Sequence, residues 1–231
     1  PQRLIAGAMS NAPTTNVVVV SRYFGSGAGI GELSNFAVAP FTLRGYLWPS
    51  SEHAYQCIAK VHADDWPRFA VGGDLSTLES GLKLVFRTGD YLKKLKHYSA
   101  KGTRPRMVGI VALQAVKPPT ARKLGLRLQP FEETEQWMPF IRSLFREVLL
   151  AKYRQNAAHC ALLLGTRSQH LIEFSRGAER ETRKGKPPLW TGMVVGGVKG
   201  AAGLVSGGTL VGQNLQGEMH MAVRTELQSA A

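Results

Sequence analysis

The sequence predicts one α+β domain, predominantly helical, with a small β-hairpin and sheet element. Three observations predict it. The 231 residues are 44% hydrophobic and 19% charged, ordinary globular composition with length enough for a sizeable core. Helical periodicity dominates: in residues 132–155, Trp137, Ile141, Leu144, Phe145, Val148, Leu149 and Lys152 recur at helical spacing. Runs rich in β-branched and aromatic residues are few and short, at 17–24 and 41–48. No internal repeat and no dividing linker interrupts the chain, so residues 1–16 read as a flexible tail and 17–231 as the domain.

Each element has a local cause. Residues 17–24, opening on four valines, read as a buried strand that the glycine-rich run Gly25-Ser-Gly-Ala-Gly-Ile-Gly31 ends. Residues 41–48 place apolar runs on either side of Arg44-Gly45, the pattern of a tight hairpin. Pro49-Ser-Ser-Glu-His53 then starts a helix reaching about Val61, with Ser50 as cap and Glu52 in the first turn. Residues 64–73 read as a loop, and 78–86, 91–98 and 121–127 as short helices. The helix over 132–155 carries acidic residues at its front and basic ones at its rear, as the helix dipole favours. A helix over 157–164 follows, then a long loop with strand fragments over 192–212, and a closing helix over 218–227.

Charge is the abnormal quantity. Twenty-nine basic residues against sixteen acidic ones leave +13, and residues 79–127 alone hold twelve Lys or Arg against Glu79 and Asp90. Such a stretch meets phosphate in nucleic acid, a nucleotide or an anionic surface, or else is a solvated basic face. No run of eighteen apolar residues offers a membrane span. Two cysteines, Cys57 and Cys160, are too few for a disulfide framework or a zinc cage, so a reducing, cytoplasmic setting is expected. The chain opens at Pro1 rather than Met, as a processed product or a piece of a parent polypeptide would.

Several chemistries drop out on spacing. The glycine run follows a strand, but a dinucleotide fingerprint would require glycine at Ile30 or Glu32. The six histidines make no HExxH spacing, no GxSxG elbow occurs, and Gly185-Lys186 is followed by prolines rather than a phosphate-loop hydroxyl. No metal and no cofactor is therefore expected. The informative segment is Trp48-Pro-Ser-Ser-Glu-His-Ala-Tyr-Gln56, where Glu52, Tyr55, Gln56 and Ala59 share one helical face. A first-turn carboxylate kept ionised by the helix dipole and set beside aromatic groups can stabilise an oxocarbenium-like transition state. It can equally be an ordinary first-turn Glu that only caps a helix.

That segment is one of seven blocks, in order, that resemble the NADAR (NAD- and ADP-ribose-associated) family of N-glycosidases. Gly31-Glu-Leu-Ser-Asn-Phe36 is similar to the family's SNF entry, 41–48 to its hairpin, and 48–56 to its WPTxEHxxQ signature. Thr120-Ala-Arg-Lys-Leu-Gly125, Trp137 through Lys152-Tyr-Arg-Gln-Asn156, Leu162 through Glu173, and Trp190 with Gly212-Gln-Asn-Leu215 resemble the later blocks. The resemblance runs from about residue 20 to 227. It implies hydrolysis of the bond between a nucleobase or amine and (ADP-)ribose, foremost removal of ADP-ribose from guanine in nucleic acid. The alternatives are a non-catalytic module that binds ADP-ribose, NAD or nucleic acid in a structural or assembly role, and cleavage of ribosylaminopyrimidines of riboflavin synthesis.

By position in those motifs, Glu52 is the implied catalytic carboxylate, and Glu179, with Glu181 as alternative, the second acid. Asn35, Phe36, Trp48, Tyr55, Gln56, Trp190 and Asn214 are the implied ligand-binding residues. The family carries Lys three residues after the motif Gln; here Ala59 holds that place and the implied catalytic lysine is Lys60, about 100° further round a helix. Residues 61–119 are an insertion relative to the family, read as helical and basic. Lys93, Lys94, Lys96, Arg104 and Arg106 are its expected phosphate or nucleic-acid contacts. The expected partners are thus an ADP-ribose-type or phosphoribosyl ligand, nucleic acid through the insertion, and a larger assembly.

Overall fold

A computed structural model describes residues 17–19, 30–35, 37–76, 127, 137–173, 189–195, 198–199, 204–206 and 209–230. The expected tail, the rest of the strand over 17–24, the helices over 78–86, 91–98 and 121–126, and residues 132–136 lie outside the described residues. The architecture is α+β, with more of the described chain in helices than in strands. Two compact units form it: Asn35–Cys160, and Pro1–Ser34 with Ala161–Ala231.

The unit of Asn35–Cys160 begins with an antiparallel hairpin, β2 (Phe41–Leu43) and β3 (Tyr46–Trp48), paired Phe41 to Trp48, Thr42 to Leu47 and Leu43 to Tyr46. Its two-residue loop has φ of 52° at Arg44 and 83° at Gly45. Both being positive matches the right-handed strand twist, and glycine takes that conformation without cost. Helix α1 (Ser51–Lys60) follows directly, capped by the Ser50 side chain, which accepts from the His53 N–H. It ends where the Val61 N–H donates to the Cys57 carbonyl. A 3-10 helix, Ala63–Arg68, occupies what reads in sequence as loop. It is capped by His62, whose Nδ1 accepts from the Asp64 N–H at 3.4 Å, and held by the Trp66 indole N–H donating to the Val61 carbonyl at 2.9 Å.

Helix α2 (Trp137–Gln155) packs its buried stripe, Ile141, Leu144, Phe145, Val148 and Leu149, against α1 and the hairpin. Gln155 acts as a substitute strand for the hairpin edge: its Oε1 accepts from the Thr42 N–H and its Nε2 donates to the Thr42 carbonyl, both at 2.8 Å. Those two bonds satisfy backbone groups that an edge strand otherwise leaves open. Helix α3 (Ala157–Gly165) leads on from α2.

The other unit contains a four-stranded mixed sheet of β1 (Val17–Val19), β4 (His170–Ile172), β6 (Val198–Lys199) and β7 (Leu204–Ser206), in the order β4-β1-β7-β6. Here β1 runs parallel to β4, with Val17 opposite His170, and antiparallel to β7. Strands β5 (Met193–Val195) and β8 (Thr209–Val211) form a separate antiparallel pair. Residues 192–212, read in sequence as a loop with strand fragments, therefore supply four paired strands. A 3-10 turn, Ile30–Leu33, precedes the switch between units, and helix α4 (Leu215–Ser229) packs on β4. It starts three residues earlier than its periodicity indicates, because Asn214 begins it from a left-handed conformation (φ 49°).

Candidate functional site

The sequence after the hairpin fixes the position of the carboxylate. Trp48 is fully buried, and its indole N–H donates to the Leu43 carbonyl at 3.0 Å, locking the strand that feeds α1. Ser50 caps the helix, so Glu52 falls in the first turn, where the N-terminal dipole favours an anion. The Glu52 backbone N–H donates to the Asn35 carbonyl at 3.0 Å, which ties the start of α1 to Asn35. Glu52 itself is 7% exposed, an unusual burial for a carboxylate.

From Glu52 a ridge runs along α1 at i, i+4 and i+8: Glu52, Gln56, Lys60. Gln56 donates from Nε2 to Glu52 Oε1 at 2.9 Å. Burial lowers the Lys60 ammonium below its ordinary range, while the negative charge of Glu52 pulls it partly back up. Because α1 is an unbroken α-helix through Lys60, no bulge is needed to bring this lysine to the face of Glu52. Ala59, at the position where the family motif carries lysine, is 2% exposed and packed in the core. The Tyr55 hydroxyl is pushed up by burial and then by the charge of Glu52, and its ring stands edge-on to Phe145 of α2 at 5.3 Å.

Among the buried polar atoms of this unit without a hydrogen-bond partner are Asn35 Oδ1, Ser51 Oγ and Gln56 Oε1. Leaving such atoms unsatisfied costs about 1–3 kcal/mol each, so they are the atoms a ligand bearing donors would relieve. Two of the three, Asn35 and Gln56, are residues that the motif resemblance marks for ligand binding. Lys152 belongs by sequence to the periodic stripe of 132–155 and to the block resembling the family's long helix. Its side chain is fully buried on α2, with Nζ 5.2 Å from the Tyr153 ring centroid. A lysine at an apolar position of a helix is the signal that marks it.

In the other unit, Asn214 joins β4 to the start of α4. Its Nδ2 donates to the Leu171 carbonyl at 2.8 Å, and its Oδ1 accepts from the Glu173 N–H at 3.1 Å. The Trp190 carbonyl accepts from the Gln216 N–H, and the Glu173 carbonyl from the Gly192 N–H, so Glu173, Trp190 and Asn214 share one backbone network. The Asn214 amide is thus committed to backbone partners, and Trp190 is half-buried. Glu173, buried at the end of β4, is an acid that the sequence reading passed over in favour of Glu179. Its signal was its place directly after the buried pair Leu171-Ile172.

Phe36, Glu179, Glu181, Lys93, Lys94, Lys96, Arg104 and Arg106 lie outside the described residues. No group of three or more His, Cys, Asp or Glu that could hold a metal ion occurs among the described residues. No described helix is long and apolar enough to cross a membrane.

No protein-family model matches the chain. No curated protein matches it either. Among solved structures it is similar to the NMR structure of the E. coli protein YbiA, a NADAR-family protein, at 20% sequence identity and a TM-score of 0.46, over 94% of this chain and 88% of that one.

Proposed function

We propose that the chain is an N-glycosidase that hydrolyses the bond between a nucleobase and ADP-ribose, with ADP-ribosylated guanine in nucleic acid as the leading substrate. The observation that carries the reading is the Glu52–Gln56–Lys60 ridge. A carboxylate 7% exposed is oriented by an amide at 2.9 Å, with a lysine of lowered proton affinity on the same helical face. Cleavage of an N-glycosidic bond develops positive charge on C1′ and the ring oxygen, and a fixed anion in a poorly solvated place stabilises it. The electron pair of the breaking C–N bond leaves with the base. Water adds to C1′, its proton passes to Glu52, and Glu52 returns a proton to the departing base, which leaves the carboxylate ionised for the next turnover. In this reading Lys60, whose neutral form burial favours, acts on the same carbon or steers the carboxylate.

The motif resemblance supports the substrate class, and the unpartnered acceptors Asn35 Oδ1 and Gln56 Oε1 suit the hydroxyls of a ribose. The excess positive charge of residues 79–127 is the proposed docking segment for the nucleic acid that carries the adduct.

The test is release of ADP-ribose from a guanine-ADP-ribosylated oligonucleotide by the native chain and by Glu52→Gln. The expected result is release by the native chain and a loss of 10²-fold or more in Glu52→Gln, with binding retained. Binding of ADP-ribose by both forms without release by either would replace the enzyme reading with a binding module.

A further inference from the structure

Among the described strands β4 ends its sheet, so backbone groups on its outer side need partners from outside the ladder. Leu171, opposite Val18 of β1, turns both of its groups outward. Its carbonyl accepts from Asn214 Nδ2 at 2.8 Å, and its N–H donates to the Met221 sulfur at 3.4 Å. Both partners belong to α4 and its cap. The helix lies close enough for this because residue 217 has no side chain: a Cβ there would fall 2.1 Å from the Leu171 carbonyl oxygen. Met221 is one turn further along the same helical face, which brings its thioether to the Leu171 N–H.

Leu171 is fully buried, whereas Met221 is half-exposed. A buried backbone donor, which has no water to replace a lost acceptor, thus depends on a weakly accepting sulfur at a position open to solvent. A thioether sulfur has two lone pairs. One faces the Leu171 N–H and is covered by it, so the other is the pair left to attack a hydroperoxide. In that step the S–O bond forms as the O–O bond breaks. The sulfur is oxidised by two electrons, and the peroxide is reduced to water. The new oxygen points away from Leu171, and the sulfur becomes the positive end of the S–O dipole, so it no longer accepts. An oxygen does not fit between sulfur and nitrogen 3.4 Å apart, so the sulfoxide does not remake the bond in place.

We infer that Met221 is a site of reversible oxidation to methionine sulfoxide, and that its oxidation releases the outer edge of β4 from α4 at the Leu171 N–H. The covered lone pair directs the product to a single sulfoxide epimer. The Asn214 bonds to Leu171 and Glu173 involve no sulfur, so the release is confined to one donor and the unit stays folded. Met219, two residues away and 7% exposed, is shielded from the same oxidant. The inference does not rest on the glycosidase reading, since none of its residues belongs to the Glu52 ridge.

The experiment treats the full chain with dilute hydrogen peroxide, follows each methionine by peptide mass spectrometry, and reads Leu171 amide exchange by NMR. Met221 should oxidise about tenfold faster than Met219. Two sulfoxide reductases of opposite stereospecificity should find one Met221 epimer in clear excess, against near-equal amounts after oxidation of the urea-unfolded chain. Exchange at the Leu171 amide should rise about tenfold on oxidation and return when the matching reductase restores the thioether. Met221→Leu, similar in volume but without sulfur, should show the fast exchange before peroxide and no further change after it. Oxidation of Met221 no faster than of Met219 overturns the proposal, as do equal amounts of the two epimers in the folded chain. Unaltered Leu171 exchange in the oxidised native chain also overturns it, and decides the matter even if Met221→Leu does not fold.

Discussion

At the scale of single residues, buried groups with fixed partners set the strongest expectations. His220 on α4 is fully buried, with Nδ1 2.8 Å from the Gln216 carbonyl and Nε2 3.0 Å from the Leu33 carbonyl. Carbonyls only accept, and a neutral imidazole has one N–H, so the ring donates to one of the two at a time. His220→Phe takes the ring nitrogens away from both buried carbonyls and should destabilise the fold by about 1–3 kcal/mol. Unchanged stability in chemical denaturation would show that these contacts carry none of it. Gly217 is a second case. In an ordinary helix Gly→Ala stabilises by about 1 kcal/mol. Here a Cβ would lie 2.1 Å from the Leu171 carbonyl and 2.5 Å from Asn214 Nδ2, both parts of the Asn214 clasp. Overpacking of that kind costs about 1–3 kcal/mol, so Gly217→Ala should lower the melting temperature, the reverse of the usual sign. His170 adds a pH dependence. Burial lowers its proton affinity below the ordinary 6.5, with Glu218 opposing and Arg224 assisting. Its folded form thus binds the proton at lower pH than the unfolded chain does. The stability it contributes is complete above pH 6.5 and is lost as pH falls through the folded value. His170→Gln should flatten that part of a plot of melting temperature against pH.

At the scale of elements, what was legible in the sequence is what is locally determined. Ser50, Glu52 and the apolar spacing after them specify α1 without help from distant residues, and Arg44-Gly45 specifies its hairpin. The candidate ridge was legible for the same reason, since Glu52 and Gln56 sit four residues apart on one helix. Lys60 was legible only as the family's lysine displaced by one residue, because its place on that face depends on α1 staying regular through its last turn. The Glu173–Asn214 contact spans 41 residues, and the parallel pairing of β1 with β4 joins residues 17 and 170. Such contacts leave no short-range signature, which is why residues 192–212 read as loop. The 3-10 helix Ala63–Arg68 escaped because its Pro67 and lack of apolar periodicity resemble a turn. The hairpin gives a measurable balance. Arg44 spends about 1–2 kcal/mol on its left-handed conformation, and its bidentate pair with Glu147, half-exposed, returns no more than about 1 kcal/mol. Arg44→Gly should therefore change stability by less than about 1 kcal/mol, whereas Gly45→Ala, at φ 83°, should destabilise by about 1–2 kcal/mol. Equal effects of the two in chemical denaturation would show that the turn conformation does not govern the hairpin.

At the scale of the whole molecule, the net charge of +13 and its concentration in residues 79–127 are, in the proposed function, what would steer encounter with a polyanion. A carboxylate site for bond cleavage needs no such excess, whereas recognition of an adduct carried on nucleic acid does, because phosphate contacts supply affinity and positioning. The two functions separate in salt. Each phosphate neutralised contributes about 0.7–0.9 to the slope of log affinity against log salt. Neutralising Lys93, Lys94, Lys96, Arg104 and Arg106 together should reduce that slope by roughly 3.5–4.5 for a modified oligonucleotide if all five contact phosphate. The same variant should cleave a small ADP-ribosyl guanosine with an unaltered kcat, since none of the five lies on the Glu52 ridge. A slope equal to that of the native chain would remove the segment from nucleic-acid binding and leave its charge to solvation or to an acidic partner. Parallel losses on the large and the small substrate would instead assign these cations to the reacting site itself.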